Sequence, residues 1–194
     1  MEHHFFALLS RMKYITRWGL MRNTRPESLS EHSLDTAVLA HALVLLHNRR
    51  FGGSLNPERA AVLALYHDAT EIITGDMPTP VKYFSPGIRD AYRAAEQAAQ
   101  ERLLSCLPED LRGDYRALLA PDADSEQELR FVKAADKLAA LIKCVEERKM
   151  GNTEFAVAEQ TVRRAVEELD MPEVRVFLTE FLPGFGLTLD EQSL

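Results

Sequence analysis

An all-α fold in a single domain follows from three observations on this sequence of 194 residues. Apolar residues recur at helical spacing in one segment after another. Capping and turn residues separate those segments at helix-length intervals. What remains between the helical segments leaves little room for strands. The length suits one medium domain. With no internal repeat, low-complexity segment or linker, residues 1–194 are expected to form one unit.

The elements follow in order. Phe5, Leu8, Leu9, Met12 and Ile15 predict a helix over 4–18. Gly19, Asn23 and Pro26 mark 19–29 as a loop. Ser28 with Glu31 fits a capping box, Ser30 being the competing cap, for a helix that runs to Arg50 and stops at Gly52-Gly53. Asn56-Pro57 starts the next helix, which carries Ala60 to Thr74 and ends at Gly75. The two prolines of Asp76 to Pro80 favour an extended loop. Ser85-Pro86 opens a helix ending near Leu107, before Pro108, and a short helix is expected over 110–119. Ser125 and Glu128 form a second capping box, heading a long helix to Met150 with Gly151 as its stop. Helices over 154–169 and 173–182 complete the set, and the tail from Pro183 is expected to be irregular.

Composition narrows the function by exclusion. A hydrophobic fraction of 46% supports a sizeable core. No apolar run approaches the roughly 20 residues of a membrane helix, the longest, Ala37 to Leu46, being interrupted by His41. The beginning, Met1 to Phe6, has neither the basic start nor the long apolar stretch of a signal peptide. Cys106 and Cys144 lack metal or redox spacing and predict reduced core thiols in a cytoplasmic protein. The net charge of −7 argues against nucleic-acid partners. Residues 3–26 nevertheless hold Arg11, Lys13, Arg17, Arg22 and Arg25 without an acid, leaving the rest at −12. Such a segment suits a small anion or, on charge alone, a solvated helix face.

Chemistry concentrates at His67-Asp68, followed by Glu71. On an ideal helix each residue advances about 100°, so Glu71 and the small Ala64 fall between the pair, and one face presents an imidazole, two carboxylates and space. The segment from Ala60 to Tyr66 is strongly apolar, and burying unpaired carboxylates at its end would be costly. A cation would offset that cost. His32 in the first turn of its helix, and Asp136 within an apolar stretch, are the distant candidates to complete a site of two imidazoles and two carboxylates. An ion pair with Lys133, Lys137 or an arginine is the alternative for Asp136. His41 lies about 180° around the helix from His32, and His47 is roughly 22 Å along the axis, which predicts one metal rather than two. His3 and His4 are left open.

The pattern of His32, His67-Asp68 and Asp136 resembles the HD-domain phosphohydrolase superfamily, helical metal-dependent enzymes acting mostly on phosphoesters. The stretches HFFALLSRMKYITRWGLMRNTRPESLSEHSL, YHDATEIITGDMPTPVKYF and KAADKLAALIKCVEE resemble, more closely, the bacterial 5′-deoxynucleotidase family, and the tail FGLTLDE is similar too. The resemblance implies a helical HD-domain fold, with His32, His67, Asp68 and Asp136 binding one divalent metal ion. It implies that Arg17 orients the substrate phosphate and that Trp18 lies beside the sugar and helps exclude a 2′-hydroxyl. Glu71 is implied as catalytic acid or base. Asp76, Met77, Pro78 and Thr79 are implied to hold the nucleoside, with His32, Asp68 and Asp136 also facing substrate.

The expected reaction is metal-dependent hydrolysis of deoxyribonucleoside 5′-monophosphates to deoxynucleoside and phosphate, discriminating against ribonucleotides. The alternatives are an HD phosphohydrolase acting on a dNTP, cyclic nucleotide or alarmone, and a non-catalytic nucleotide-binding sensor. Cobalt, manganese and other transition metals suit the donor set equally, and the resemblance suggests a homodimer.

Overall fold

The computed structural model describes residues 3–192, and among them there is no strand. The helices are α1 (Phe5–Leu9), α2 (Leu29–Arg50), α3 (Pro57–Tyr66), α4 (Glu71–Thr74), α5 (Thr79–Lys82), α6 (Pro86–Ser105), α7 (Arg112–Leu119), α8 (Glu126–Lys149), α9 (Ala156–Glu167) and α10 (Pro172–Glu180). The all-α expectation therefore holds, and no helix is long and apolar enough to cross a membrane.

α2, α3 and α8 form the centre. α2 turns a stripe through Leu29, His32, Thr36, Ala40 and Leu43 inward, the helical period that the sequence shows. Leu63 and Ala64 of α3, Ala135, Leu138 and Leu141 of α8, Val166 of α9 and Phe177 of α10 complete this core. A second, smaller core joins Phe5 of α1, Leu103 and Leu104 of α6, Leu119 of α7 and Ala69. The segment after α3 thus spans the seam: Ala64 belongs to one core and Ala69 to the other.

Several caps are as expected. Ser28 accepts from the Glu31 N–H, and the Glu31 carboxylate accepts from Ser28 in return, a complete capping box. Asn56 accepts from the Arg59 N–H and Ser85 from the Ile88 N–H.

Other expectations need correction. The helix expected over 4–18 stops at Leu9, tightens into a 3₁₀ turn over Ser10–Tyr14, and gives way to extended backbone at Ile15. Residues 15–17 pair instead with 27–29: Leu29 N–H donates to the Ile15 carbonyl (2.8 Å), Arg17 N–H to that of Glu27 (2.9 Å), and Thr16 bridges Ser28. The β-branched pair Ile15-Thr16 suits that backbone better than a helix. The expected 57–74 helix breaks after Tyr66 and resumes only at Glu71. The Asp76 to Pro80 loop is half helical, because Pro80 sits in the first turn of α5, where no N–H is needed. Ser125 makes no capping hydrogen bond; its hydroxyl accepts from Arg59 Nη2 at 2.6 Å. The tail forms 3₁₀ turns over Leu182–Gly186 and Asp190–Gln192.

Candidate metal centre

The capping box fixes where α2 begins, and with it the register of His32 one turn later, fully buried on the core-facing stripe. His67 ends α3. The chain then tightens into three-residue turns, with Ala69 N–H bonding the Tyr66 carbonyl (3.1 Å) and Glu71 N–H that of Asp68 (3.0 Å). The ideal-helix phases therefore do not apply across this segment. The tight turn lets the adjacent His67 and Asp68 converge, with His67 Nε2 and Asp68 Oδ2 3.1 Å apart.

The Ala64 carbonyl accepts from His67 Nδ1 at 2.6 Å. A carbonyl only accepts, so Nδ1 carries a proton, and in the neutral ring Nε2 is the nitrogen with a lone pair to offer. That Nε2 is buried and has no hydrogen-bond partner. His32 Nε2 lies 3.6 Å from Asp68 Oδ2 and 3.1 Å from Asp136 Oδ1. Ligand atoms of His32, His67 and Asp68 lie within 4.8 Å of one another, and Asp136 joins them through His32. Two imidazoles and carboxylates around an orphaned Nε2 fit a divalent transition metal. All four expected ligands are thus brought together, from α2, the end of α3, and α8.

The crowded charges perturb the protonation of His67, Asp68 and Glu71. Burial opposes the charge of Asp68, but His67, His32 and Arg17 hold its carboxyl well below the usual range. Burial likewise opposes the charge on His67, yet Asp68 and then Asp136 raise it to about 9. Glu71 is 9% exposed, with a buried Oε2 that has no hydrogen-bond partner. Burial first, then the charges of Asp68 and Asp76, push its carboxyl up to about 9.

Arg17 stands on the extended segment and Trp18 directly after it, neither of them on a helix. Arg17 Nη1 reaches Asp68 (3.4 Å) and Asp76 (3.9 Å), and its Nε donates to Glu27 Oε2 at 3.2 Å. Trp18 Nε1 donates to the same oxygen at 3.1 Å, and its ring packs on Phe155. Trp18 has φ of 58°, a left-handed conformation that bulky residues rarely adopt. Glu27 was not singled out by the sequence; as the first acid after the basic run over 3–26, it could have been. The other arginines of that run divide: Arg22 pairs with Glu154 and Arg25 with Glu31, whereas Arg17 turns into the acidic cluster.

Gly75, at φ 74°, turns the chain so that Asp76 faces Arg17. Met77 lines an apolar groove against Tyr92 and Ala95 of α6 instead of the cluster. Pro78 leads into α5, and Thr79 is exposed as its first residue. His47 Nδ1 donates to Glu173 Oε1 at 2.7 Å and the ring packs on Phe131, tying α2 to α10, as expected of a histidine outside the site. Cys144 is buried, with its thiol pushed up to about 12 chiefly by burial, the inert core thiol expected.

Comparison with known proteins places these residues in a family context. The model of the YfbR-like 5′-deoxynucleotidases matches residues 4–185. A 5′-deoxynucleotidase of Vibrio parahaemolyticus is 50% identical over 192 residues, covering 99% of both chains. One from Pectobacterium atrosepticum is also 50% identical, over 99% of this chain and 96% of its own. Among solved structures, an HD-domain phosphohydrolase from Listeria innocua superposes with a TM-score of 0.80 at 27% identity, covering 94% of this chain and 88% of its own. The cyanophage S-2L HD phosphohydrolase, solved with dA and one catalytic Zn²⁺, shares the fold with a TM-score of 0.60 at 20% identity, over 93% of this chain and 95% of its own.

Proposed function

The chain belongs to the YfbR-like 5′-deoxynucleotidase family, and we propose that His32, His67, Asp68 and Asp136 equip it with one divalent metal ion for hydrolysing deoxyribonucleoside 5′-monophosphates. It is a phosphomonoester hydrolase with 5′-deoxynucleotidase activity. The observation that carries the site assignment is the orphaned, buried His67 Nε2 beside His32 and Asp68.

The bound metal would supply Lewis acidity toward the phosphate and lower the pKa of water. The chain's own residues divide the rest. The Arg17 guanidinium, charged and close to the cluster, orients the phosphoryl oxygens and offsets their charge. Glu71, buried and holding its proton, is suited to donate to the departing 5′-oxygen, and its carboxylate can then take a proton from water. Trp18 crowds the 2′ position of the sugar. Asp76 meets the sugar beside Arg17, and Pro78 and Thr79, which follow it in the chain, border the nucleoside, whereas Met77 is turned to the groove against α6. Concentrating contacts on phosphate and sugar leaves the base free to vary.

The same reading includes a homodimer, supported by the exposed apolar Leu34, Val38 and Leu45 along one side of α2, and a reducing cytoplasm, supported by two free cysteines. The test is phosphate release from dAMP and AMP by the purified protein with added cobalt or manganese. Much faster release from dAMP is expected. Equal rates would overturn the sugar discrimination, and no release from either would overturn the reading as a whole.

A further inference from the structure

Glu27 lies outside the metal cluster, yet one of its oxygens receives both side chains that the proposed function assigns to substrate. Its Oε2 accepts from Arg17 Nε at 3.2 Å and from Trp18 Nε1 at 3.1 Å. Its side chain is 12% exposed and that of Arg17 13%, so water competes little for these bonds.

The two contacts have different consequences. Arg17 is a long side chain whose Nη1 reaches toward Asp68 and Asp76. Holding its Nε from behind fixes the plane of the fork, which is the property that makes arginine a selective phosphate ligand. Trp18 occupies a left-handed backbone conformation that costs free energy and persists only when the surroundings determine it. Phe155 packs against one side of the indole, the Met21 N–H bonds its carbonyl at 2.8 Å, and Glu27 holds its N–H. Only the last of these ties the ring's rotation to Arg17.

We infer that Glu27 is a positioning residue that couples phosphate orientation to sugar discrimination by fixing Arg17 and Trp18 against one carboxylate oxygen. The inference rests on the substrate roles proposed for those two residues. The backbone does not need this side chain: 15–17 and 27–29 pair through main-chain bonds, including Arg17 N–H to the Glu27 carbonyl. Removing the carboxylate should therefore loosen two side chains without unfolding the segment.

The test compares Glu27→Ala, Glu27→Gln and Trp18→Leu with the wild type. Trp18 is the only tryptophan, so its fluorescence reports on the indole directly. In Glu27→Ala, lower anisotropy and stronger acrylamide quenching are expected, together with a fall on the order of tenfold in the dAMP-to-AMP ratio of kcat/KM, the scale of one charge-assisted hydrogen bond. Glu27→Gln keeps an acceptor oxygen and should retain most of the wild-type anisotropy and ratio, which a merely structural role would not predict. Unchanged anisotropy, or an unchanged ratio in Glu27→Ala while Trp18→Leu alters it, overturns the inference alone. An unchanged ratio in Trp18→Leu overturns the role of Trp18 and the inference with it.

Discussion

Glu71 shows how position alone separates catalysis from metal binding. Its side chain shares the neighbourhood of His67 and Asp68 but makes no hydrogen bond to either, and its buried Oε2 remains unpaired. Its carboxyl keeps its proton because burial and two neighbouring carboxylates all disfavour the charge. Glu71→Gln preserves shape while removing the transferable proton, so kcat for dAMP should fall by roughly 10²- to 10⁴-fold, with KM and metal content nearly unchanged. Steady-state kinetics beside metal analysis checks this; a loss of metal in the variant would instead make Glu71 a ligand. At this scale the sequence was most legible where a polar residue interrupts an apolar stretch. Asp136 announces itself that way and His67-Asp68 closes such a stretch, whereas His32 stands only as a histidine in the first turn of its helix. Glu27 does not, because its meaning arises from the pairing of 15–17 with 27–29, and nothing local in either segment encodes it.

Helices with conventional caps were legible as elements, since Ser28, Asn56 and Ser85 each satisfy an N–H within their own first turn. The break between α3 and α4 was not legible, because Ile72 and Ile73 continue the apolar pattern past it. Nor was the joint that holds the loop carrying Arg22 to Arg25. There Glu147 of α8, fully buried, accepts from Lys143, from Asn152 Nδ2 and from the N–H groups of Thr24 and Arg25. Burial opposes its charge, but Lys143, Asn152 and the two backbone donors bring its carboxyl down to about 2 from an ordinary value of 4.5. A depressed pKa means that the folded state binds this proton less readily than the unfolded one. Its stabilisation is therefore complete above about pH 4.5 and is lost as pH falls toward 2. Glu147→Ala would leave Lys143 buried without its carboxylate and should cost about 3 kcal/mol at pH 7. Denaturant melts across pH should show the wild type losing stability more steeply than the variant between pH 4.5 and 2. Parallel curves would refute the role given to this carboxylate.

Across the whole molecule, the centre joins parts of the chain that are far apart in sequence. His32 comes from the start of α2, His67 and Asp68 from the end of α3, and Asp136 from the middle of α8, the three helices that build the larger core. That these helices pack together was legible from their apolar stripes, whereas the seam between the two cores became visible only with Ala64 and Ala69 in place. Arg17 draws Asp68 and Asp76 toward it, but Asp136 and Glu71 also crowd the site with potential negative charge. An ion that binds the folded arrangement and not the separated segments must stabilise the whole fold by linkage, by about 2.7 kcal/mol at a hundredfold excess over Kd. For a chain of this length, that raises Tm by roughly 5–10 °C. Calorimetry of the purified protein before and after chelation, and after adding back manganese or cobalt, measures the difference. His67→Ala removes Nε2 and the Nδ1 bond to the Ala64 carbonyl at the end of α3 but leaves the N-caps of α2 and α3 in place, so it should abolish the response to metal while leaving a folded protein. A wild-type Tm indifferent to both chelator and metal would mean that the three helices hold their geometry unaided and that the cluster is not a metal centre.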